Sequence, residues 1–99
     1  MTKGGYIYIV SNLKRTVLYI GVTSNLSARS HEHKLGEGSS FTKKYNCTDL
    51  IYYECFDSIE AAIQREKALK KWKREWKFNL IKSKNEGLLD LYHEVANFT

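Results

Sequence analysis

Two short aromatic blocks, Tyr6-Ile7-Tyr8 and Tyr19-Ile20-Gly21, are followed in order by Arg29, His33 and, much later, Glu66. These residue types are a kit for metal-assisted phosphodiester cleavage. The planar fork of an arginine binds phosphate bidentately and stabilises charge that develops in the transition state. A tyrosine or histidine can take a proton from water. A single carboxylate suffices for Mg²⁺, which keeps several waters and accepts substrate phosphate as a ligand. Glu66 is singled out by its place, at the centre of the apolar stripe Ile59, Ala62, Ile63 and Leu69 of a helical pattern. An ionised carboxylate there is costly unless it is paired or binds a cation. Periodicity leaves two readings open: an ion pair with Arg29 or a nearby lysine, or a metal ligand.

The elements that must position these groups are short. Tyr6 to Val10 and Val17 to Val22 are dense β-branched and aromatic runs joined by a polar connection, which predicts an antiparallel hairpin. Little alternation within them implies that both sheet faces are covered. Tyr6 shares a face with Tyr8 and reads as structural. Leu50 to Phe56 is a third strand. Thr23-Ser24-Asn25 supplies N-caps for a helix that starts near Leu26 and stops by Gly36 or Gly38. Within it Arg29 and His33, four apart, project the same way, while His31 points elsewhere. Residues 37–45 read as a mobile polar loop carrying Lys43 and Lys44. Asp57 and Glu60 read as a capping box that opens the long helix bearing Glu66. A further helical stretch covers about 73–83, and propensity does not decide whether the two are joined near Trp72-Lys73. Leu88 to Tyr92 can dock as a final turn. The sum is an α+β fold.

At 99 residues the chain is expected to be one domain, 1–99, because a second core could not be buried. Sixteen Lys and Arg against 11 Asp and Glu give +5, which favours a polyanionic partner. The basic run from Lys67 to Lys77, with Lys70 and Lys73, is either a solvated face or a track for a phosphate backbone. Trp72 and Trp76, four apart, suit a packing patch better than base stacking. Cys47 and Cys55 are too few for a disulfide framework, and His31-x-His33 does not converge on a zinc ion from a helix. With no signal peptide or membrane-length apolar run, a reducing cytoplasm and no membrane association are expected.

Taken in order, these blocks resemble the GIY-YIG nuclease family, in particular its short stand-alone bacterial members. Tyr6-Ile7-Tyr8 and Tyr19-Ile20-Gly21 stand for the two name-giving motifs. Thr23 through Arg29 is similar to a Thr-x-x-Leu-x-x-Arg segment, and His33 occupies a histidine-or-tyrosine position. Ala62 through Lys73 looks like the helix that carries the metal-binding glutamate. Trp76-Lys77, Leu80-Ile81, Asn85 and Asp90-Leu91-Tyr92 match the tail, so the resemblance spans residues 6 to 92. The chain departs from some relatives at Val22, where they place a lysine; Lys14, Lys43 or Lys44 would then have to substitute. The resemblance implies a three-stranded antiparallel sheet flanked by helices and an endonuclease acting on DNA with Mg²⁺ or Mn²⁺ on Glu66. Tyr8 or Tyr19, with His33, would activate water, Arg29 would neutralise the developing charge, and products would carry a 5′ phosphate. Asn85 is a second-tier candidate for orienting the site, and Lys43, Lys44, Lys70 and Lys73 are expected on DNA. A bare catalytic module has little means of choosing a sequence, so selectivity for DNA structure is expected. The alternative is a catalytically silent nucleic-acid-binding module of the same fold, against which the retained Tyr8, Tyr19, Arg29, His33 and Glu66 argue.

Overall fold

The computed structural model describes residues 4–98. Strands β1 (Gly5–Ser11), β2 (Leu18–Thr23) and β3 (Asp49–Phe56) form an antiparallel sheet in the order β2-β1-β3. Helices α1 (Leu26–Lys34), α2 (Ser40–Lys44), α3 (Ile59–Lys70), α4 (Arg74–Lys84) and α5 (Tyr92–Val95) complete the chain. This is the α+β arrangement that the apolar runs imply.

The lack of alternation in β1 has a direct cause. As the central strand it is buried along its whole length on both faces. Ile7 and Ile9 point to one side, where Ile20, Ala62, Leu69 and Ile81 join them under α3 and α4. Tyr6, Tyr8 and Val10 point to the other, against Leu26, Cys47, Leu50 and Val95. In β3 the register slips between Ile9, opposite Tyr52, and Val10, opposite Leu50. Ile51 is therefore the extra residue of a bulge, and Ile51 and Tyr52 both enter the α3-side core.

Asn25 caps α1 by accepting from the Ala28 amide at 3.1 Å. The helix ends at Lys34, and Gly36 takes the left-handed conformation, φ +76°, that a helix exit favours. Three expectations need correction. Residues 37–45 are not simply a loop: Ser39 and Thr42 form a reciprocal capping box that nucleates α2. The long helix is capped by Ser58, which accepts from Ala61, and not by Asp57 paired with Glu60. The final turn begins at Tyr92, so Leu91, Val95 and Phe98 are what docks against the Tyr6 and Tyr8 side. The open question between α3 and α4 resolves as a break. Lys71 and Trp72 bond back three residues, to Ala68 and Leu69, and Lys73 turns extended while Trp72 packs on the core. No helix is long and apolar enough to cross a membrane among the described residues.

Candidate active site

Tyr8 is the centre of the arrangement. It lies opposite Gly21 in β2 and Tyr53 in β3, on the sheet face covered by α1. Its side chain is buried, and its hydroxyl stands 3.0 Å from His33 Nε2. A β-carbon at Gly21 would sit 2.3 Å from that hydroxyl oxygen, so the glycine of the second block is the space the tyrosine occupies. Gly38 serves His33 in the same way, since a β-carbon there would come within 2.1 Å of Nδ1. Tyr19 lies on the same sheet face opposite Val10, with its ring centroid 6.1 Å from that of His33.

Burial and charge set the protonation of this pair. Burial, reinforced by the Arg29 guanidinium, pulls His33 down to about 4, so the imidazole is neutral at pH 7 and one ring nitrogen is free to accept. Burial also holds the Tyr8 hydroxyl well above the ordinary tyrosine range; Arg29 opposes the shift, and Tyr19, Glu32 and Glu66 add to it. Tyr8 is therefore a neutral hydroxyl facing a neutral imidazole, and the tautomer of His33 sets which of the two donates. His33 Nδ1 and the nearby Ser30 Oγ are buried without a hydrogen-bond partner among the described residues.

Arg29, one turn before His33, pairs with Glu32 at 3.1 Å and stays partly exposed. Glu66 comes from α3, across the sheet, yet belongs to the same cluster. Strand β2 is an edge, and α3 packs against it. Glu66 bonds Lys70 at 2.8 Å, and the Lys70 ammonium lies 5.9 Å from the Tyr19 ring centroid. Of the two readings of Glu66 from its stripe, the ion pair with a nearby lysine is present, and the partner is Lys70 rather than Arg29.

The structure thus gathers Tyr8, Tyr19, Arg29, His33 and Glu66. Lys43 and Lys44 sit exposed on α2 beside Phe41, which stacks on Tyr19 at 5.7 Å. Lys73 lies just before α4 with its ammonium over Trp76. Asn85 stands apart: its amide donates to the carbonyls of Ile51 and Leu89 and accepts from the Leu89 amide, so it clasps α4 to β3 and the tail. Val22 packs into the α3-side core, and Lys70 lies beside the cluster, paired with Glu66 and near the Tyr19 ring. Phe41 and Thr42 join the site without any chemical motif in the sequence, and Gly38, expected only as a helix stop, makes room for His33. The Ser39-x-x-Thr42 spacing after two glycines was the available signal.

Among the described residues no group of three His, Cys, Asp or Glu side chains is placed to hold a metal ion. His31 instead bonds the Tyr92 hydroxyl at 2.7 Å, and Cys47 and Cys55 are free. The donor chemistry at the cluster is one carboxylate, Glu66, whose side chain is 15% exposed and whose partner is half-exposed. That fits an ion of the Mg²⁺ type, which keeps most of its water and takes one carboxylate from the protein. Zinc, which needs a closed set of nitrogen or sulfur ligands, does not fit.

A family model described as the GIY-YIG catalytic domain matches residues 4–79. A UPF0213 protein of Haloquadratum walsbyi is 39% identical over 75 residues, covering 76% of this chain and 83% of its own. One from Natronomonas pharaonis is 38% identical over 81 residues, with 82% and 94% covered. A third, from Staphylococcus haemolyticus, is 37% identical over 79 residues, with 80% and 95% covered. No solved structure matches the chain.

Proposed function

This chain belongs to the GIY-YIG family, and from that premise we propose that it is a metal-dependent endonuclease that hydrolyses DNA phosphodiester bonds, selecting DNA structure rather than sequence. Membership supports a nuclease domain, a hydrolase acting on nucleic acid. We take the whole chain as the catalytic unit, because Leu91, Val95 and Phe98 of the tail pack into the same core as Tyr6 and Tyr8. Two free cysteines, one of them exposed, suit a reducing cytoplasm.

The observation that carries the reading is the 3.0 Å contact between Tyr8 and His33, where the charges of Arg29 and, more weakly, Glu66 are felt. With Tyr8 donating to Nε2, the lone pairs of its oxygen are left to accept a proton from water. As water attacks phosphorus, its proton passes to the Tyr8 oxygen and the Tyr8 proton moves to His33 Nε2. The P–O3′ bond breaks, and the leaving O3′ takes its proton from a solvent water, leaving a 5′ phosphate and a 3′ hydroxyl. Arg29 holds the non-bridging oxygens, and its fixed charge balances the negative charge that builds on them. Glu66 would hold Mg²⁺ or Mn²⁺, which when bound polarises the scissile phosphate and stabilises the leaving oxygen. Lys43, Lys44, Lys70 and Lys73 supply attraction to the backbone.

One observation favours the silent binding module instead: both charged residues are neutralised by neighbours, Arg29 by Glu32 and Glu66 by Lys70. Magnitude decides against it. Each is a single pair within one helix with at least one partner about half-exposed, although Glu66 itself is mostly buried, and helix pairs of this spacing are worth about 0.2–0.5 kcal/mol. A phosphodiester and a divalent ion outcompete them. The test is cleavage of supercoiled plasmid and branched DNA across an Mg²⁺ titration, with Glu66→Gln as the control. Nicking by the wild type alone supports the nuclease, while DNA retention without turnover at any Mg²⁺ or Mn²⁺ concentration supports the silent module.

A further inference from the structure

Phe41 and Tyr45 lie a turn apart on α2 and its C-terminal cap, with Lys44 on the same side. They are 42% and 40% exposed, an unusual state for adjacent aromatic side chains. They also continue a strip that begins at the cluster. Tyr19, beside His33, stacks on Phe41 with planes 30° apart, and Phe41 meets Tyr45 at 4.7 Å between centroids. The outer two rings are tilted by 47° to each other. Ammonium groups border the strip at both ends: Lys70 lies 5.9 Å from the Tyr19 ring and Lys44 lies 5.3 Å from the Tyr45 ring. Lys43 is exposed next to them. The other exposed aromatic among the described residues, Trp76, differs in kind. It meets Trp72 edge-on at 82°, and Trp72 packs on the opposite core under the Arg65 guanidinium.

We propose that Tyr19, Phe41 and Tyr45 are a stacking platform for the bases of an unpaired DNA strand, with Lys43, Lys44 and Lys70 on its backbone, and that the platform leads the strand's phosphate to Tyr8 and His33. This rests on the nuclease reading and names its substrate class as single-stranded or locally unpaired DNA. Aromatic faces beside cations bind unpaired nucleotides without regard to sequence, because every base has a π-face. A paired base has both faces covered by its neighbours and must be flipped out at a cost before it can stack here.

The experiment is fluorescence anisotropy with metal-free protein and an end-labelled oligonucleotide, single-stranded or annealed to its complement. The wild type should favour the single strand by about tenfold or more. Tyr45→Ala and Phe41→Leu should each weaken single-strand binding by about tenfold and leave duplex binding within about twofold. Phe41→Leu keeps an apolar contact with Tyr19, so the fold is retained, and Tyr45→Phe should bind as the wild type does. Equal affinity for the two DNAs, or equal losses on both in the variants, overturns the platform. Cleavage of the same oligonucleotides in Mg²⁺ separates the two claims. Duplex cut as fast as single strand, with no effect of Tyr45→Ala, removes the platform and keeps the nuclease. Platform-dependent binding with neither DNA cut removes the nuclease and keeps the platform.

Discussion

Two polar clusters flank α1, built from similar residues and wired differently. At its C-terminal end Asp49 accepts from Arg15 at 2.8 Å and from Lys34 at 2.9 Å, and Lys34 also pairs with Asp90. Asp90 in turn accepts from the amides of Leu50 and Tyr92, so the hairpin, α1, β3 and the tail are tied at one point. Burial raises Asp49, but Lys34 and Arg15 outweigh it and hold the carboxyl below its ordinary range. Around Tyr8 the wiring is open. Glu66 and Arg29 each have a single salt-bridge partner, partly in solvent, and His33 Nδ1 has none among the described residues. A closed network satisfies its charges and holds the fold. An open one leaves capacity for a phosphate, a cation and a water.

The largest effect should come from removing the carboxylate of the open cluster. Glu66→Gln is expected to reduce single-turnover cleavage by roughly 10³-fold or more, with unchanged circular dichroism. Wild-type turnover in this variant would take the cation away from Glu66. Arg29→Lys keeps the charge and loses the fork, and should cost about 10–100-fold in rate. Combined with His33→Ala, the losses should fall short of additive, since both serve one transition state. Full additivity in the double-mutant cycle would separate their roles.

The closed network should respond in the opposite sense. Asp49→Asn leaves Arg15 and Lys34 without their shared carboxylate. Unfolding in urea should show a loss of about 1–3 kcal/mol, with the cleavage rate per folded molecule unchanged. A rate defect without a stability defect would erase the distinction between the clusters.

His33 sharpens the comparison through pH. Its folded value near 4 lies below the unfolded value near 6.5, so the unfolded chain binds more protons between them. Stability is full above the unfolded value and falls as pH drops from about 6.5 to about 4, by at most about 1.4 kcal/mol per pH unit. His33→Ala, although less stable throughout, should lose that slope. An unchanged slope would place the titration elsewhere. The smallest effect is expected for Lys70→Met: Mn²⁺ binding to the free protein, read by electron paramagnetic resonance, should tighten about threefold. Weaker binding would show that Lys70 supports the cation rather than screening Glu66.

Much of this organisation is legible in the sequence. The two aromatic runs give β1 and β2 because a central strand buried on both faces must be apolar throughout, and Asn25 marks the start of α1. The i, i+4 spacing puts Arg29 and His33 together. Other features depend on tertiary contacts that no local pattern carries. Helix α2 was hidden in a polar, glycine-containing stretch, where the Ser39–Thr42 reciprocity and the seat of Phe41 on Tyr19 stabilise one turn. Ser58 and Asp57 are equally good caps by type, and only the path of the backbone into α3 selects Ser58. Asn85 looked chemical because it is a polar residue in a tail motif, yet its burial commits all its hydrogen bonds to backbone. Glu66 belongs to α3 and Tyr8 lies under α1, on opposite faces of the sheet, and no local spacing relates them.

The central claim is that the open cluster works through the Tyr8 hydroxyl, and Tyr8→Phe tests it with one oxygen atom removed. Single-turnover cleavage of a single-stranded oligonucleotide in Mg²⁺ should fall by about 10²–10⁴-fold in this variant, while its melting temperature stays at or above that of the wild type. Cleavage at the wild-type rate by folded Tyr8→Phe would contradict the account.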